Sequence, residues 1–254
     1  MRRLVVACVL GVAGLGGCAA PRDTFKLAPG SGQQAMIRDG VPALVSTKKH
    51  VVFLRPVRAQ QGSSARPAFV VAVLNRGRSP ASLMLADIDA ASVKPTKQKL
   101  HIFNHAELVD EVESRRRTAM VLTAISGAAG AMSASQAGYS QTTGSYTRSS
   151  AYGNSSGTYT ATTYNPAMAQ AAADANSYRT ASNMASIEDQ AQLALSRLQN
   201  DIIKDHTLMP GEWHGGVLVL DAPEKSQSNA AEYAITIRYD GEEHAFSVIQ
   251  SGRN

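Results

Sequence analysis

Two parts of the chain have the apolar and polar pattern of β-strands. In the first part, short runs of β-branched and aromatic residues alternate with segments rich in glycine, serine, proline and glutamine. Runs of this kind, bounded by turn-forming residues, predict short strands. The four strands predicted in this part lie within residues 50–55, 68–74, 82–85 and 97–103.

The second strand-like part contains the clearest hairpin in the sequence. Residues 233–239 and 242–249 are joined by Asp240-Gly241, a dipeptide that accepts a positive φ at both central positions of a tight turn. A further strand is predicted at residues 215–220. The total of about seven strands is typical of an immunoglobulin-like β-sandwich.

Between the two strand-like parts, the apolar residues have helical spacing. Asn104 followed three residues later by Glu107 predicts a capping box, and a helix from His105 to about Ser135. A second helix is predicted from Asn165-Pro166 to near Asp205, because proline is tolerated in a first helical turn. The predicted buried faces comprise Leu108, Val112, Ala119, Leu122 and Ile125 in the first helix, and Ile187, Ala191, Ala194, Leu198 and Ile202 in the second.

These elements predict a mainly β fold with an α insertion. The sandwich is expected to consist of residues 41–103 and 206–250, with a long two-helix hairpin inserted over residues 104–205 and a short tail at 251–254. Residues 18–40 have no sustained periodicity and contain several prolines, glycines and glutamines, so we expect them to form a tether.

The start of the chain has the pattern of an export signal. Arg2 and Arg3 precede an uncharged apolar run from Leu4 to Leu15, and the segment ends in Leu15-Gly16-Gly17-Cys18. The last four residues resemble the lipobox of bacterial lipoproteins. This resemblance implies cleavage between Gly17 and Cys18, removal of residues 1–17, and palmitate-type acylation of Cys18. The alternative, a buried cysteine in a membrane helix, is disfavoured because the run is short for a bilayer.

The same resemblance implies a location in the cell envelope. Ala19 follows Cys18, whereas many lipoproteins retained at the inner membrane have aspartate there, so we expect the outer membrane, facing the periplasm. Removal of the two leader arginines lowers the formal net charge from +5 to +3. The mature chain then has no free thiol, and its fold depends on its core rather than on disulfides.

Two short motifs resemble immunoglobulin-like domains of exported bacterial proteins. The first is the run 69–77, a strand followed by Asn75 and a turn, continuing to the acidic positions of 86–90. The second is Pro210-Gly211-Glu212, with glycine following before a strand. The likeness covers roughly residues 45–103 and 206–250, and it implies a fold but transfers no catalytic residue.

Charge is nearly absent from one long stretch of the predicted insertion. Between Thr118 and Ala173 the only charged residue is Arg148. Residues 124–138 are almost entirely alanine, glycine and serine, which allows two helices to approach closely. Three interpretations remain open: tight packing of the two helices, self-association through the same surfaces, and bilayer insertion. Insertion is the least favoured because alanine and serine contribute little transfer free energy.

The predicted tip of the insertion, residues 136–164, is rich in Tyr, Gly, Ser and Thr. This mixture is used by binding loops, because tyrosine offers a large contact area and serine and glycine adapt their hydrogen bonds. It is equally typical of a disordered polar loop, which is the alternative. The candidate interaction residues are Tyr139, Tyr146, Tyr152, Tyr159 and Tyr164.

No catalytic, cofactor or metal motif is recognisable. The six histidines are scattered, and none has the spacing of a metal-ligand pair. Asp87 with Asp89 on one strand, and the acidic residues of 110–113 on a helix, are candidate acid–base pairs but are more typical of solvated faces. Glu111 and Glu113 precede Arg115–Arg117, a spacing that predicts ion pairs one helical turn apart. Trp213 is expected to pack in the core rather than to bind sugar.

The sequence therefore predicts a lipid-anchored envelope protein with a structural, scaffolding or protein-binding role, possessing no cofactor and not acting as an enzyme. The expected partners are the membrane, through the lipid on Cys18, and a protein or a second copy, through residues 119–173; nucleic acid is not expected, because the aromatics are not interleaved with basic residues. The alternative is a cell-wall-acting enzyme, or an accessory subunit of an envelope enzyme or transport complex.

Overall fold

The computed structural model describes residues 22–62, 65–222 and 230–252. The chain divides into two compact units. Of the described residues, the β unit comprises 22–62, 65–102, 205–222 and 230–252, and the helical unit comprises 103–204. The fold is mainly β, with two long helices that pair with each other.

The elements follow one another in this order: β1 (Arg22–Ala28), β2 (Gln33–Arg38), β3 (Val41–Thr47), β4 (Val51–Pro56), β5 (Gln60–Gly62), β6 (Ala68–Leu74), β7 (Ala81–Leu83), a 3-10 turn (Leu85–Asp87), β8 (Ile88–Lys94), β9 (Gln98–Lys99), β10 (Ile102–Phe103), α1 (His105–Ala137), β11 (Tyr139–Ser150), β12 (Gly153–Tyr164), α2 (Pro166–Asp201), β13 (His206–Leu208), β14 (Trp213–Leu220), β15 (Ala230–Tyr239) and β16 (Glu242–Gly252).

The β unit is built from two six-stranded sheets, with strand orders β5-β1-β16-β15-β8-β9 and β10-β14-β6-β4-β3-β2. Strands β4, β6 and β15 alternate buried with half-buried or exposed residues, because successive side chains of a strand point to opposite faces. The buried faces of the two sheets share one core. Phe69 on β6 lies with its ring 5.7 Å from that of Phe25 on β1 and 6.1 Å from that of Tyr233 on β15.

The predicted hairpin near the C-terminus is present. Strands β15 and β16 pair from Tyr239 with Glu242 outward, and Asp240 and Gly241 have φ angles of 46° and 79°. Both central turn residues therefore adopt the left-handed conformation that matches the twist of the flanking strands.

The expected tether over residues 18–40 is wrong for residues 22–38, whereas residues 18–21 lie outside the described part of the chain. β1 pairs with β16 and β5, and β2 pairs with β3. β1 alternates too briefly to be recognised: Asp23 and Phe25 are buried on either side of the half-buried Thr24. Its position in the sheet comes from partners about 220 residues away in sequence, such as Gly252 opposite Asp23.

The helical unit consists of α1, the strand pair β11–β12 and α2. The predicted capping box is present: the Asn104 side chain accepts from the backbone N–H of Glu107 at 2.9 Å, and the Glu107 carboxylate accepts from the Asn104 N–H at 2.8 Å. At the start of α2, Asn165 accepts from the N–H groups of Ala167 and Met168, and Pro166 occupies the first turn.

The predicted apolar faces of the helices are correct for α2 and partly wrong for α1. Within α2, Ala191 is buried and Ile187, Ala194 and Leu198 are half-buried, and Ile202, which follows the last residue of the helix, is buried. Within α1, Leu108 is buried and Val112 and Ala119 are half-buried, but Leu122 and Ile125 are exposed. The more buried positions along this part of the helix are instead small residues: Thr123, Gly127, Gly130 and Ala134. The spacing of large apolar residues therefore predicted the wrong face for this part of α1, because closely packed helices require small side chains where they touch.

Candidate interaction surface in the helical unit

The residues expected to form a disordered or binding loop form a regular β-hairpin. β11 and β12 each contain 12 residues and pair without interruption from Tyr139 opposite Tyr164 to Ser150 opposite Gly153. At the helical end, the N–H of Asn165 donates to the carbonyl of Gly138 at 2.8 Å. The disordered alternative is therefore wrong, and the five candidate tyrosines have defined positions.

Two of these tyrosines lie across the hairpin from glycines. Tyr159 is opposite Gly144 and Tyr146 is opposite Gly157. A Cβ placed on Gly144 would lie 2.6 Å from Cζ of Tyr159, and a Cβ on Gly157 would lie 2.8 Å from the hydroxyl of Tyr146. Each ring thus covers the bare backbone of a glycine, an arrangement that sets the strand register. The sequence signal for these pairs is the presence of two glycines and two tyrosines at positions that a tight turn near residue 151 places opposite one another.

The other three tyrosines lie at the two ends of the hairpin. Tyr139 and Tyr164 form the pair nearest the helices, with ring centroids 4.7 Å apart. Tyr152 lies in the turn and is 100% exposed. Four of the five predicted tyrosines therefore contact a residue on the opposite strand: two contact each other, and two cover glycines. Tyr152 lies in the turn at the far end.

One face of the hairpin carries almost only hydroxyl and amide side chains. Strand alternation places on it Gln141, Thr143, Ser145, Thr147 and Ser149 from β11, together with Asn154, Ser156, Thr158, Thr160 and Thr162 from β12. All of these side chains are exposed. Among the residues that the structure describes, the hairpin forms a sheet of two strands, so each strand has one edge with unpaired backbone groups.

The helices α1 and α2 pack against each other through small residues, as the first of the three interpretations predicted. A Cβ on Gly127 would lie 2.8 Å from Oγ1 of Thr180, and one on Gly130 would overlap the Asn176 amide. The Asn176 side chain donates to the carbonyl of Gly127 at 2.9 Å. Gly127 and Gly130 therefore permit an approach that a methyl group would prevent.

The other side of α1 is apolar and exposed. Its large residues are 57–72% exposed and comprise Val121, Leu122, Ile125 and Met132, which we call the α1 stripe. By length and composition alone, α1 qualifies as a helix able to cross a membrane, with 6% of its most apolar window buried. An uncharged apolar stripe of this kind is a typical interaction surface.

The part of α1 that precedes the α1 stripe carries charged residues. The predicted ion pairs one helical turn apart are confirmed, since Glu111 pairs with Arg115 and Glu113 pairs with Arg116. Arg116 also reaches Glu188 on α2 at 2.7 Å. Hydrogen bonding from Arg116 lowers the pKa of the Glu188 carboxyl. These carboxylates are therefore neutralised by arginine rather than arranged for proton transfer.

The predicted pair of strand carboxylates in the β unit does not exist. Asp87 ends the 3-10 turn, whereas Asp89 lies in β8. Asp89 is 3.0 Å from Lys99 and also pairs with Arg238. Hydrogen bonds from Lys99 and Arg238 lower the pKa of Asp89, so it stays ionised in a surface ion-pair cluster.

Sequence reasoning missed a buried histidine network at the β15–β16 turn. The His50 Nε2 lies 2.9 Å from Asp240, and its Nδ1 accepts from the N–H of Arg76 at 3.2 Å. His244 Nδ1 lies 2.9 Å from the Ser46 hydroxyl, and its Nε2 lies 3.6 Å from Glu242. Ser46 and His50 lie in or next to strands of one sheet, whereas Asp240 and His244 lie in the β15–β16 hairpin of the other, so these positions meet only where the two sheets pack together.

The contacts from Ser46 to His244 and from His244 to Glu242 have the order of a nucleophile, a base and an acid. However, His244 is 0% exposed and Ser46 is 3% exposed. A buried hydroxyl has no route to a substrate. Burial lowers the pKa of His244, with the Glu242 charge acting in the opposite direction. The network therefore joins β3 to the β16 hairpin as a structural element.

Trp213 does not pack in the core as expected, because it is 54% exposed at the start of β14. Close by, the rings of His206 and His214 stack with centroids 4.1 Å apart. Among the residues that the structure describes, no group of three or more histidine, cysteine, aspartate or glutamate side chains could hold a metal ion.

The predicted lipid-attachment residue Cys18 and the cleavage position at Gly17 lie outside the described residues. No family model, curated protein or solved structure matches the chain.

Proposed function

We propose that this chain is a lipid-anchored envelope protein with a scaffolding role, which assembles with further copies of itself through the helical unit. The observation that supports assembly is the surface of residues 118–173. It combines an exposed apolar α1 stripe, exposed tyrosines and a single charged residue, Arg148. Identical surfaces that meet in a homo-oligomer repel each other when they carry like charges, so a nearly uncharged surface favours contact between copies.

The anchor is supported by the sequence pattern ending in Cys18. Several acyl chains hold a protein stably at a membrane, whereas one chain binds only marginally. We place the anchor in the outer membrane because Ala19 follows the cysteine. We further infer that the β unit is a variant of the immunoglobulin-like sandwich, on the basis of its two antiparallel sheets with a shared core. Superposition of an experimental structure on immunoglobulin domains checks that inference.

Anchoring is tested by labelling cells that express the full chain with a palmitate analogue. The expected result is label on the parent chain and none on Cys18→Ser, together with loss of stable membrane attachment in the variant. An unlabelled parent chain, or a Cys18→Ser variant that stays equally membrane-bound, contradicts the anchor.

Assembly is tested by chemical crosslinking of the full chain in membranes. We expect a ladder of crosslinked copies that is strongly reduced by the double variant Leu122→Glu with Ile125→Glu, because charge is introduced into the α1 stripe. Leu193→Glu is the matched control, since Leu193 lies on α2 and is 60% exposed, as is Ile125. A parent chain without the ladder, or equal loss in the control, contradicts the proposal.

A further inference from the structure

Within the described part of the chain, the two long edges of the β11–β12 hairpin lack the protection that edge strands usually have. Natural proteins blunt edge strands with charge, proline, bulges or covering segments. β11 and β12 contain no proline, their pairing has no bulge, and their one charged residue, Arg148, is near the turn. Each edge therefore offers a 12-residue row of backbone donors and acceptors.

The hairpin also has little to stabilise it by itself. Two-stranded hairpins are marginally stable in water, because each ordered residue costs about 1–2 kcal/mol of backbone entropy. Apart from Gly144 and Gly157, which are half-buried, every residue of β11 and β12 is exposed. Besides the backbone pairing of the two strands, the tyrosines supply its large side-chain contacts, against Gly144 and Gly157 and between Tyr139 and Tyr164. A further strand on either edge would add backbone hydrogen bonds without disturbing those contacts.

We propose that copies of this chain join edge to edge through their hairpins, with β12 of one copy pairing antiparallel to β11 of the next. This inference depends on the self-assembly proposed above. Every copy carries both edges, so the contact is head-to-tail and continues the order β11-β12-β11-β12. Head-to-tail contacts of this kind close into rings when the rotation between copies permits.

The near absence of charge over residues 118–173, where Arg148 is the single charged residue, favours a second copy over a partner that is recognised by its charge. When hairpins join edge to edge in a ring, the same face of every hairpin lies on the same side. The hairpin face that carries the hydroxyl and amide side chains then forms one continuous surface. Edge-to-edge joining also places the helices of neighbouring copies side by side, because α1 ends at Ala137 and β11 begins at Tyr139. We expect the exposed α1 stripe to be covered by the helices of a neighbouring copy in the same assembly.

The test uses single cysteines in two differently tagged full chains that are expressed together. One chain carries Thr143→Cys, and the other carries Ser156→Cys, Thr158→Cys, Thr160→Cys or Thr162→Cys. Separate chains are required because Thr143 is opposite Thr160 within one copy. Ala161→Cys is the matched control, since it neighbours Thr160 but points to the opposite face.

We expect one of the four β12 positions to give a disulfide-linked pair carrying both tags, at a yield about tenfold above the Ala161→Cys control, because only directly opposite residues bring their Cβ atoms within disulfide range. An oligomer on chemical crosslinking without a disulfide at any of the four positions overturns edge pairing while leaving the proposed scaffold role intact. Equal yields on both faces also overturn it. A parent chain that forms no oligomer overturns both proposals.

Discussion

Replacement of Gly130 by alanine tests the close packing of α1 and α2. In an isolated helix this change is favourable, since alanine stabilises a helix by about 0.8–1.0 kcal/mol relative to glycine. In this protein the added methyl group would overlap the side chain of Asn176. The Asn176 amide, which donates to the carbonyl of Gly127 at 2.9 Å, must then move.

The expected magnitude follows from three effects. Overpacking a well-packed contact costs about 1–3 kcal/mol. Loss of the hydrogen bond between Asn176 and Gly127 costs about 0.5–1.5 kcal/mol. The gain in helix propensity offsets about 1 kcal/mol of this. The free energy of unfolding of the helical unit should therefore fall by about 0.5–3.5 kcal/mol, a change opposite in sign to that expected from propensity alone.

The assay is urea unfolding of the detergent-solubilised full chain, followed by circular dichroism at the helical minimum. This signal reports the helical unit, because the two long helices, of 33 and 36 residues, both lie in it. Protein concentration is held constant, since assembly shifts apparent stability. Ala131→Gly, at an exposed position of α1, provides the propensity control and should cost about 1 kcal/mol.

The double variant Gly130→Ala with Asn176→Ala removes the overlapping side chain. It should be more stable than Asn176→Ala alone by about 1 kcal/mol, because the propensity gain is then unopposed. A higher free energy of unfolding for Gly130→Ala by itself would contradict the close contact between Gly130 and Asn176.

Two further predictions concern the helix cap and the buried histidine. Asn104→Ala should lower the stability of the helical unit by about 1 kcal/mol, because the N–H of Glu107 loses its acceptor. Circular dichroism measures the change, Glu107→Gln should have a smaller effect, and unchanged stability of Asn104→Ala contradicts the role of the cap. The lowered pKa of His244, which faces Glu242, Lys48 and His50, means that the unfolded chain binds the proton more readily than the native chain. The β unit should therefore lose stability as the pH falls below about 6.5, and His244→Gln should weaken this dependence. Unfolding followed by the fluorescence of Trp213 measures both chains, and identical pH profiles would refute the assignment.

Local interactions explain which elements could be predicted from sequence. The capping box at Asn104 and Glu107, the turn at Asp240-Gly241 and the strand at residues 68–74 depend on neighbours within a few positions, so their residues specify them directly. The ion pairs of Glu111 and Glu113 with the following arginines are of the same kind. The small residues of α1 also indicated close helix packing, because few other environments favour such a composition.

Tertiary structure alone decided the elements whose partners are remote in sequence. β1 is polar and short, and it is a strand because β16 supplies its hydrogen bonds. His50, which lies just before β4, and His244 on β16 become one buried network through Glu242 only where the two sheets pack against each other. Gly130 rather than Ile125 faces α2, because the contact selects for closeness over hydrophobicity. Sequence patterns record what each residue prefers within its own segment, whereas pairing across distant segments depends on which surfaces the folded chain brings together.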